Sequence, residues 1–180
     1  MAVELRTARL LLRPFRADDE AAFAAFVDDP RYRRHLGPSH PGGAAVFVAH
    51  NVAVDWEREP SWVICIDDAP VGSIFLGVQP DDALAELACL LAPSAWGKGI
   101  AIEAGRAVVD YAFAALGLYK VFARAAAPNA ASRRAMEKAG MREEALLRSH
   151  RVDALGARVD EAICSIRRDE WVAANAGRGP

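Results

Sequence analysis

Residues 90–113 read LLAPSAWGKGIAIEAGRAVVDYAF, and they leave the chain few folds to choose from. An apolar run, Leu87 to Leu91, stops at Pro93 and has the length and boundary of a buried strand end. From Ala101 onward small or apolar residues recur at Ala101, Ala104, Val108, Tyr111, Ala112 and Ala115, with Glu103, Arg106 and Asp110 mostly opposite. That is one face of a 3.6-residue helix. Gly97 and Gly99 therefore sit where a strand turns into a helix N-terminus. Glycine lets backbone approach a ligand closely, and the first helical N–H groups have no partner inside the helix. With the helix dipole they make an anion site suited to phosphate, and Lys98 adds a point charge at its rim. Two common phosphate motifs do not fit. Gly99 is followed by Ile100 where a nucleoside-triphosphate loop needs Lys-Ser/Thr, and Ile102 stands where a dinucleotide fingerprint needs its third glycine. Taken alone, the glycine pair also fits an ordinary tight strand-to-helix turn.

The flanking sequence alternates strand and helix signals. Leu10 to Arg13 reads as a first strand, and RADDEAAFAAFV as a helix opened by acids. Pro30 and the Gly37–Gly43 region break the chain before a second helix around Ala44 to Trp56. WVICI, GSIFLGV and AELACLL are three strands separated by turn compositions, and they predict an antiparallel meander. KVFARAA is a fifth strand reached through a helix, so it should run parallel to its predecessor. Asn129 can cap the next helix and Gly140 can stop it. Ala145 to Val152 and Glu161 to Arg167 read as a closing hairpin, and NAGRGP as a frayed tail. The whole predicts an α/β (α+β) fold with a mixed, mostly antiparallel twisted sheet of about six to seven strands flanked by helices. The 180 residues suit one domain, with its core over about residues 4–173.

Composition narrows the function classes. A formal charge of −2 gives no reason to expect nucleic-acid binding, and no apolar run is long enough to span a membrane. No signal peptide precedes the charged Glu4 and Arg6, which predicts a cytoplasmic protein. Cys65, Cys89 and Cys164 are odd in number, have no metal-ligand spacing and read as reduced thiols. His35, His40, His50 and His150 are scattered, so no metal is expected. Trp56, Trp62, Trp96 and Trp171 read as packing residues, with Trp96 placed to shield whatever occupies the glycine turn.

A second segment, APNAASRRAMEKAGMREEA, adds what the glycine turn lacks. Together the two resemble the GNAT N-acetyltransferase superfamily, whose loop Q/R-x-x-G-x-G/A is matched by Ser94 to Gly99 with Ser94 in the first place. The likeness is strongest to the branch of the RimJ and RimL ribosomal-protein N-terminal acetyltransferases. Its frame is matched by Glu86, Leu87, Leu91, Pro93, Trp96, Gly97, Gly99, Glu103 and Ala104, then by Ala123, Pro128, Asn129, Ser132, Glu137, Lys138 and Gly140. TARLLLRPFRADD near the start and DEWVA near the end extend it over roughly residues 4–173.

The resemblance implies acetyl-CoA as cosubstrate and direct attack of a primary amine on the thioester, in a monomer or homodimer. It puts the pyrophosphate on the backbone amides of Trp96, Gly97, Lys98, Gly99, Ile100 and Ala101. It implies a strand splayed from its neighbour at Leu90 to Ala92, where pantetheine pairs like an added strand and an N–H of Leu90 or Leu91 meets the oxyanion. Asn129 would hold the pantetheine arm as well as cap its helix. Ser132 would meet the leaving thiolate, though capping alone also explains it. Glu86 would accept the amine proton, against the alternative of a salt-bridge partner. Ala88 and Cys89 replace the branch's Gly and Tyr, and both are expected to face the incoming acceptor. The favoured acceptor is a protein N-terminal α-amine. A small amine of aminoglycoside or polyamine type is the alternative, with Asp81, Asp82 and Glu86 as acids for a cation. A CoA-binding module with little transfer remains open beside these.

Overall fold

The computed structural model describes residues 2–27, 29–33, 43–153 and 155–176. Expectations for His35, His40, most of the Gly37–Gly43 break and the last four residues lie outside that range. Eight strands among the described residues form one sheet: β1 (Leu5–Arg6), β2 (Leu11–Pro14), β3 (Ser61–Ile66), β4 (Ala69–Gln79), β5 (Leu84–Leu91), β6 (Lys120–Ala126), β7 (Arg142–Val152) and β8 (Arg158–Arg167). Their order is β1-β2-β3-β4-β5-β6-β8-β7. Every neighbouring pair is antiparallel except β5 and β6. The parallel pair is the one joined through a helix, since a hairpin cannot reverse twice. The meander β3-β4-β5 and the β7-β8 hairpin follow the sequence pattern. The two-residue β1, too short to leave a pattern, raises the strand number above the expected six to seven.

The helices are α1 (Glu20–Val27), α2 (Pro30–Arg33), α3 (Gly43–Val52), α4 (Ile100–Ala114), α5 (Ala130–Lys138) and α6 (Arg168–Asn175). Side chains alternate across a sheet, and this separates two apolar layers. Leu12, Trp62, Ile64, Ile74, Leu76, Leu87 and Val121 pack against Ala104, Val108 and Ala112 of α4. Val63 and Cys65 face the other way, onto Phe15, Phe23, Phe26 and Val48 beneath α1 and α3. The second expected helix ends at Val52 rather than Trp56. Asp55 takes the chain out of helix by accepting the Glu57 N–H on its side chain at 3.0 Å. Trp56 instead stacks edge-on against Trp62, with ring centroids 5.2 Å apart. At the other end α6 runs to Asn175, one residue into the segment expected to fray.

Candidate functional site

Strand β5 pairs with β6 at Leu84↔Lys120, Ala85↔Val121 and Glu86↔Phe122, and the ladder stops there. Both strands go on. β5 stays paired to β4 as far as Leu91, and β6 to β8 as far as Ala126. Beyond Glu86 the sheet is therefore split down its middle, and the two inner edges face a gap. The Ala92 N–H donates to the Val71 carbonyl at 2.9 Å, which fixes the direction of each peptide group upstream. Peptide groups alternate along a strand, so Leu90 directs its N–H and C=O to β4, while Cys89 and Leu91 direct theirs to the gap. Of the two oxyanion donors expected, Leu91 has the orientation. Its carbonyl accepts the Trp96 indole N–H at 2.8 Å, and this holds the 43 % exposed Trp96 beside the end of the strand.

Gly72 of β4 lets the strands meet this way. A Cβ there would fall on the Leu90 carbonyl oxygen and stand 2.7 Å from Leu91 Cδ2.

The split opens onto the N-terminus of α4. Pro93–Ala95 form a 3-10 turn, and Gly97 (φ 72°) and Gly99 (φ 76°) are both left-handed, with Gly99 as the N-cap of α4. Side chains rarely adopt that conformation, so the glycines are required by the turn itself. The amides of Ile100, Ala101 and Ile102 lie in the first turn and have no intrahelical acceptor. On the far side of the gap Asn129 caps α5, its Oδ1 accepting the Ser132 N–H at 3.1 Å. Asn129 and Ser132 are both half-buried. The capping half of the expectation for Asn129 is thus visible in the hydrogen bond.

Glu86 stands at the fork. Its carboxylate accepts from Arg124 Nε at 2.9 Å and Nη2 at 2.8 Å. This salt bridge is the alternative weighed for Glu86, and it occupies two of the carboxylate's four lone-pair sites. Arg124 Nη1 also lies 4.0 Å from Glu161, which is 3 % exposed. Glu161 accepts from Arg151 Nη1 at 3.1 Å, and His150 Nε2 lies 3.8 Å from it. A register shift between Leu147 and Arg151, with Ser149 left-handed (φ 51°), turns His150 and Arg151 onto that carboxylate. None of Arg124, His150, Arg151 or Glu161 was singled out from sequence as a site residue, because a bulge leaves no periodic trace.

Ala88 and Cys89 do not share a face. Period-two alternation sends Cys89 to the α4 layer, where it packs against the core, and Ala88 to the opposite side. The two therefore do not both face one incoming acceptor. Burial pushes the Cys89 thiol up to about 12. Asp81 and Asp82 are exposed in the turn between β4 and β5. Ser73, opposite Leu90, has a buried hydroxyl without a hydrogen-bond partner among the described residues. Among the described residues no three His, Cys, Asp or Glu side chains converge as metal ligands, and no helix is long and apolar enough to cross a membrane.

The chain is similar to known proteins in sequence and in fold. Residues 9–142 match the acetyltransferase (GNAT) domain family. The "uncharacterized N-acetyltransferase YoaA" of Bacillus subtilis is 31 % identical over 154 residues, covering 81 % of this chain and 86 % of that one. The "uncharacterized N-acetyltransferase YnaD" of the same species is 26 % identical over 171 residues, 94 % of this chain and 99 % of that protein. In fold, a spermidine N-acetyltransferase from Vibrio cholerae, solved with CoA and spermine, superposes with a TM-score of 0.81. It shares 20 % identity and covers 92 % of this chain and 99 % of that one. The chain belongs to the GNAT acetyltransferase family and is an N-acetyltransferase.

Proposed function

We propose that this acetyl-CoA-dependent transferase acetylates a protein N-terminal α-amine, as in the RimJ and RimL branch, by direct attack on the thioester. The observation that carries the reading is the ladder that ends at Glu86↔Phe122 while both strands continue toward the N-terminus of α4. Pantetheine would add to the open edge of β5 by strand augmentation. The pyrophosphate would sit on the amides from Trp96 to Ala101, with Lys98 at the rim. The Leu91 N–H would meet the thioester oxygen as it gains charge, and Leu90 would shape that segment from the β4 side. Asn129 would hold the pantetheine arm with its remaining donors, and Ser132 would donate a hydrogen bond to the departing thiolate. Glu86 would take the amine proton on a lone pair that Arg124 leaves free.

Charge supports the α-amine over a polycation. On the face that carries Glu86, both nearby carboxylates are matched, Glu86 by Arg124 and Glu161 by Arg151. A polyamine would have to displace these guanidinium groups. An α-amine has an unperturbed pKa of about 8, against about 10.4 for lysine, so more of it is neutral at pH 7 and little base strength is needed. The three free thiols are in keeping with a cytoplasmic enzyme.

The test is a thiol-release screen with acetyl-CoA against short peptides with varied N-termini, a lysine peptide blocked at its N-terminus, and spermidine. Release of CoA thiol with free N-termini alone is the expected result. Turnover of spermidine or the blocked peptide would reassign the acceptor, and binding of acetyl-CoA with no turnover of any amine would leave a CoA-binding module.

A further inference from the structure

The helix that receives the pyrophosphate in this reading carries an acid, Glu103, in its first turn. A carboxylate there opposes an incoming anion and uses up the dipole that should attract it. Residues from the far edge of the sheet remove that conflict. Thr7 Oγ1 donates to Glu103 Oε1 at 2.6 Å, and the Arg9 backbone N–H donates to the same oxygen at 3.0 Å. Arg9 Nε donates to Glu103 Oε2 at 2.7 Å, and Arg9 Nη2 lies 2.6 Å from it. Burial works against the charged form of Glu103, but these donors outweigh it and hold the carboxyl below its ordinary range.

The third arm of the guanidinium does something else. Arg9 Nη1 donates to the Lys98 carbonyl at 3.1 Å, and Lys98 lies between the two left-handed glycines. In a trans peptide the carbonyl and the following N–H point in opposite directions. Fixing Lys98 C=O outward on Arg9 therefore aims the Gly99 N–H to the other side of the loop. Arg9 also packs over the turn, with Nη2 only 3.6 Å from where a Gly99 Cβ would stand.

We propose that Thr7 and Arg9 are positioning residues for the cofactor loop: they neutralise Glu103 and lock the Lys98–Gly99 peptide so that its amide faces the pyrophosphate. The proposal rests on reading residues 96–101 as the pyrophosphate site, and its test separates the two. Dissociation constants of CoA and of pantetheine, which ends before the pyrophosphate, are compared for wild type, Arg9→Ala, Arg9→Lys and Thr7→Val. Arg9→Ala should bind CoA about ten- to a hundredfold more weakly, as expected for losing charge-assisted hydrogen bonds, with pantetheine affinity unchanged. Arg9→Lys keeps the charge but not the fork, and should remain weakened. Thr7→Val, the milder variant should Arg9→Ala fail to fold, should lose CoA affinity alone to a smaller degree. Unaltered CoA affinity in folded Arg9→Ala, full rescue by lysine, or a parallel fall for CoA and pantetheine would each overturn the positioning role. A wild type that does not bind CoA would instead bring down the cofactor reading beneath it.

Discussion

Cys89 lies in the strand whose open edge forms the gap, and a thiol there suggests a covalent acetyl-enzyme. Its surroundings argue otherwise. The side chain packs into the α4 layer, and burial pushes the thiol up to about 12, so almost none is thiolate at neutral pH. The peptide group of Cys89, not its sulfur, faces the gap. Mixing the enzyme with acetyl-CoA and no acceptor should therefore leave the intact mass unchanged, and Cys89→Ala should keep the wild-type turnover number. A stable one-acetyl adduct mapped to Cys89 would refute direct transfer. Asn129 and Ser132 are residues of a different kind, because the Asn-x-x-Ser spacing is itself the geometry of a helix cap. Their placement was legible before any fold was known.

At the scale of elements, the split between β5 and β6 needs a strand that bends away without losing its other neighbour. Gly72 is where that is achieved. Replacing it with alanine would drive a methyl group into backbone, namely the Leu90 carbonyl and the Leu91 Cα at 3.0 Å. Overpacking of this kind costs about 1–3 kcal/mol. Gly72→Ala should therefore lower the urea midpoint and also weaken acetyl-CoA binding, because the displaced segment carries the Leu91 amide. Gly77, in the same strand but with open space where its Cβ would be, is the control: Gly77→Ala should bind acetyl-CoA as wild type does. Loss of affinity in both, or in neither, would detach the close contact from the site. The sequence displays β5, its glycine turn and α4, because each has a period or a breaker of its own. It does not display the split, which depends on where a ladder stops between strands more than thirty residues apart. Nor does it display the charge network on Glu161, which depends on a bulge in β7.

At the scale of the whole molecule, the strand β2 is tied to the turn that leads into α1 by a buried ion pair. Arg13 at the end of β2 donates to Asp19 through Nη1 at 2.9 Å and Nη2 at 2.6 Å, and Asp19 also accepts the Arg16 N–H at 2.8 Å. Between them Phe15 turns into the α1–α3 layer, its ring centroid 5.3 Å from Phe23 and 5.9 Å from Phe47. The spacing of Arg13 and Asp19 is visible in sequence as part of the opening motif, but their pairing is not, since a turn must bring them together. Burial disfavours the Asp19 charge, while the Arg13 hydrogen bonds, the Arg16 amide and the Arg13 charge outweigh it, so its pKa lies below the ordinary carboxylate value. A lowered folded-state value means stability that is full above the unfolded pKa of about 3.9 and is lost as pH falls through the lower folded value. Asp19→Asn leaves Arg13 buried without a counter-charge, a change that costs about 3–5 kcal/mol when one partner of a buried pair is removed. Urea unfolding at pH 7 should show that loss in full. On acidification the wild type should approach the variant, because protonated Asp19 no longer provides the charge that asparagine lacks. A gap that stays constant from pH 7 to about pH 2 would mean that Asp19 contributes by shape and capping rather than by charge, and that the ion pair does not hold β2 to α1.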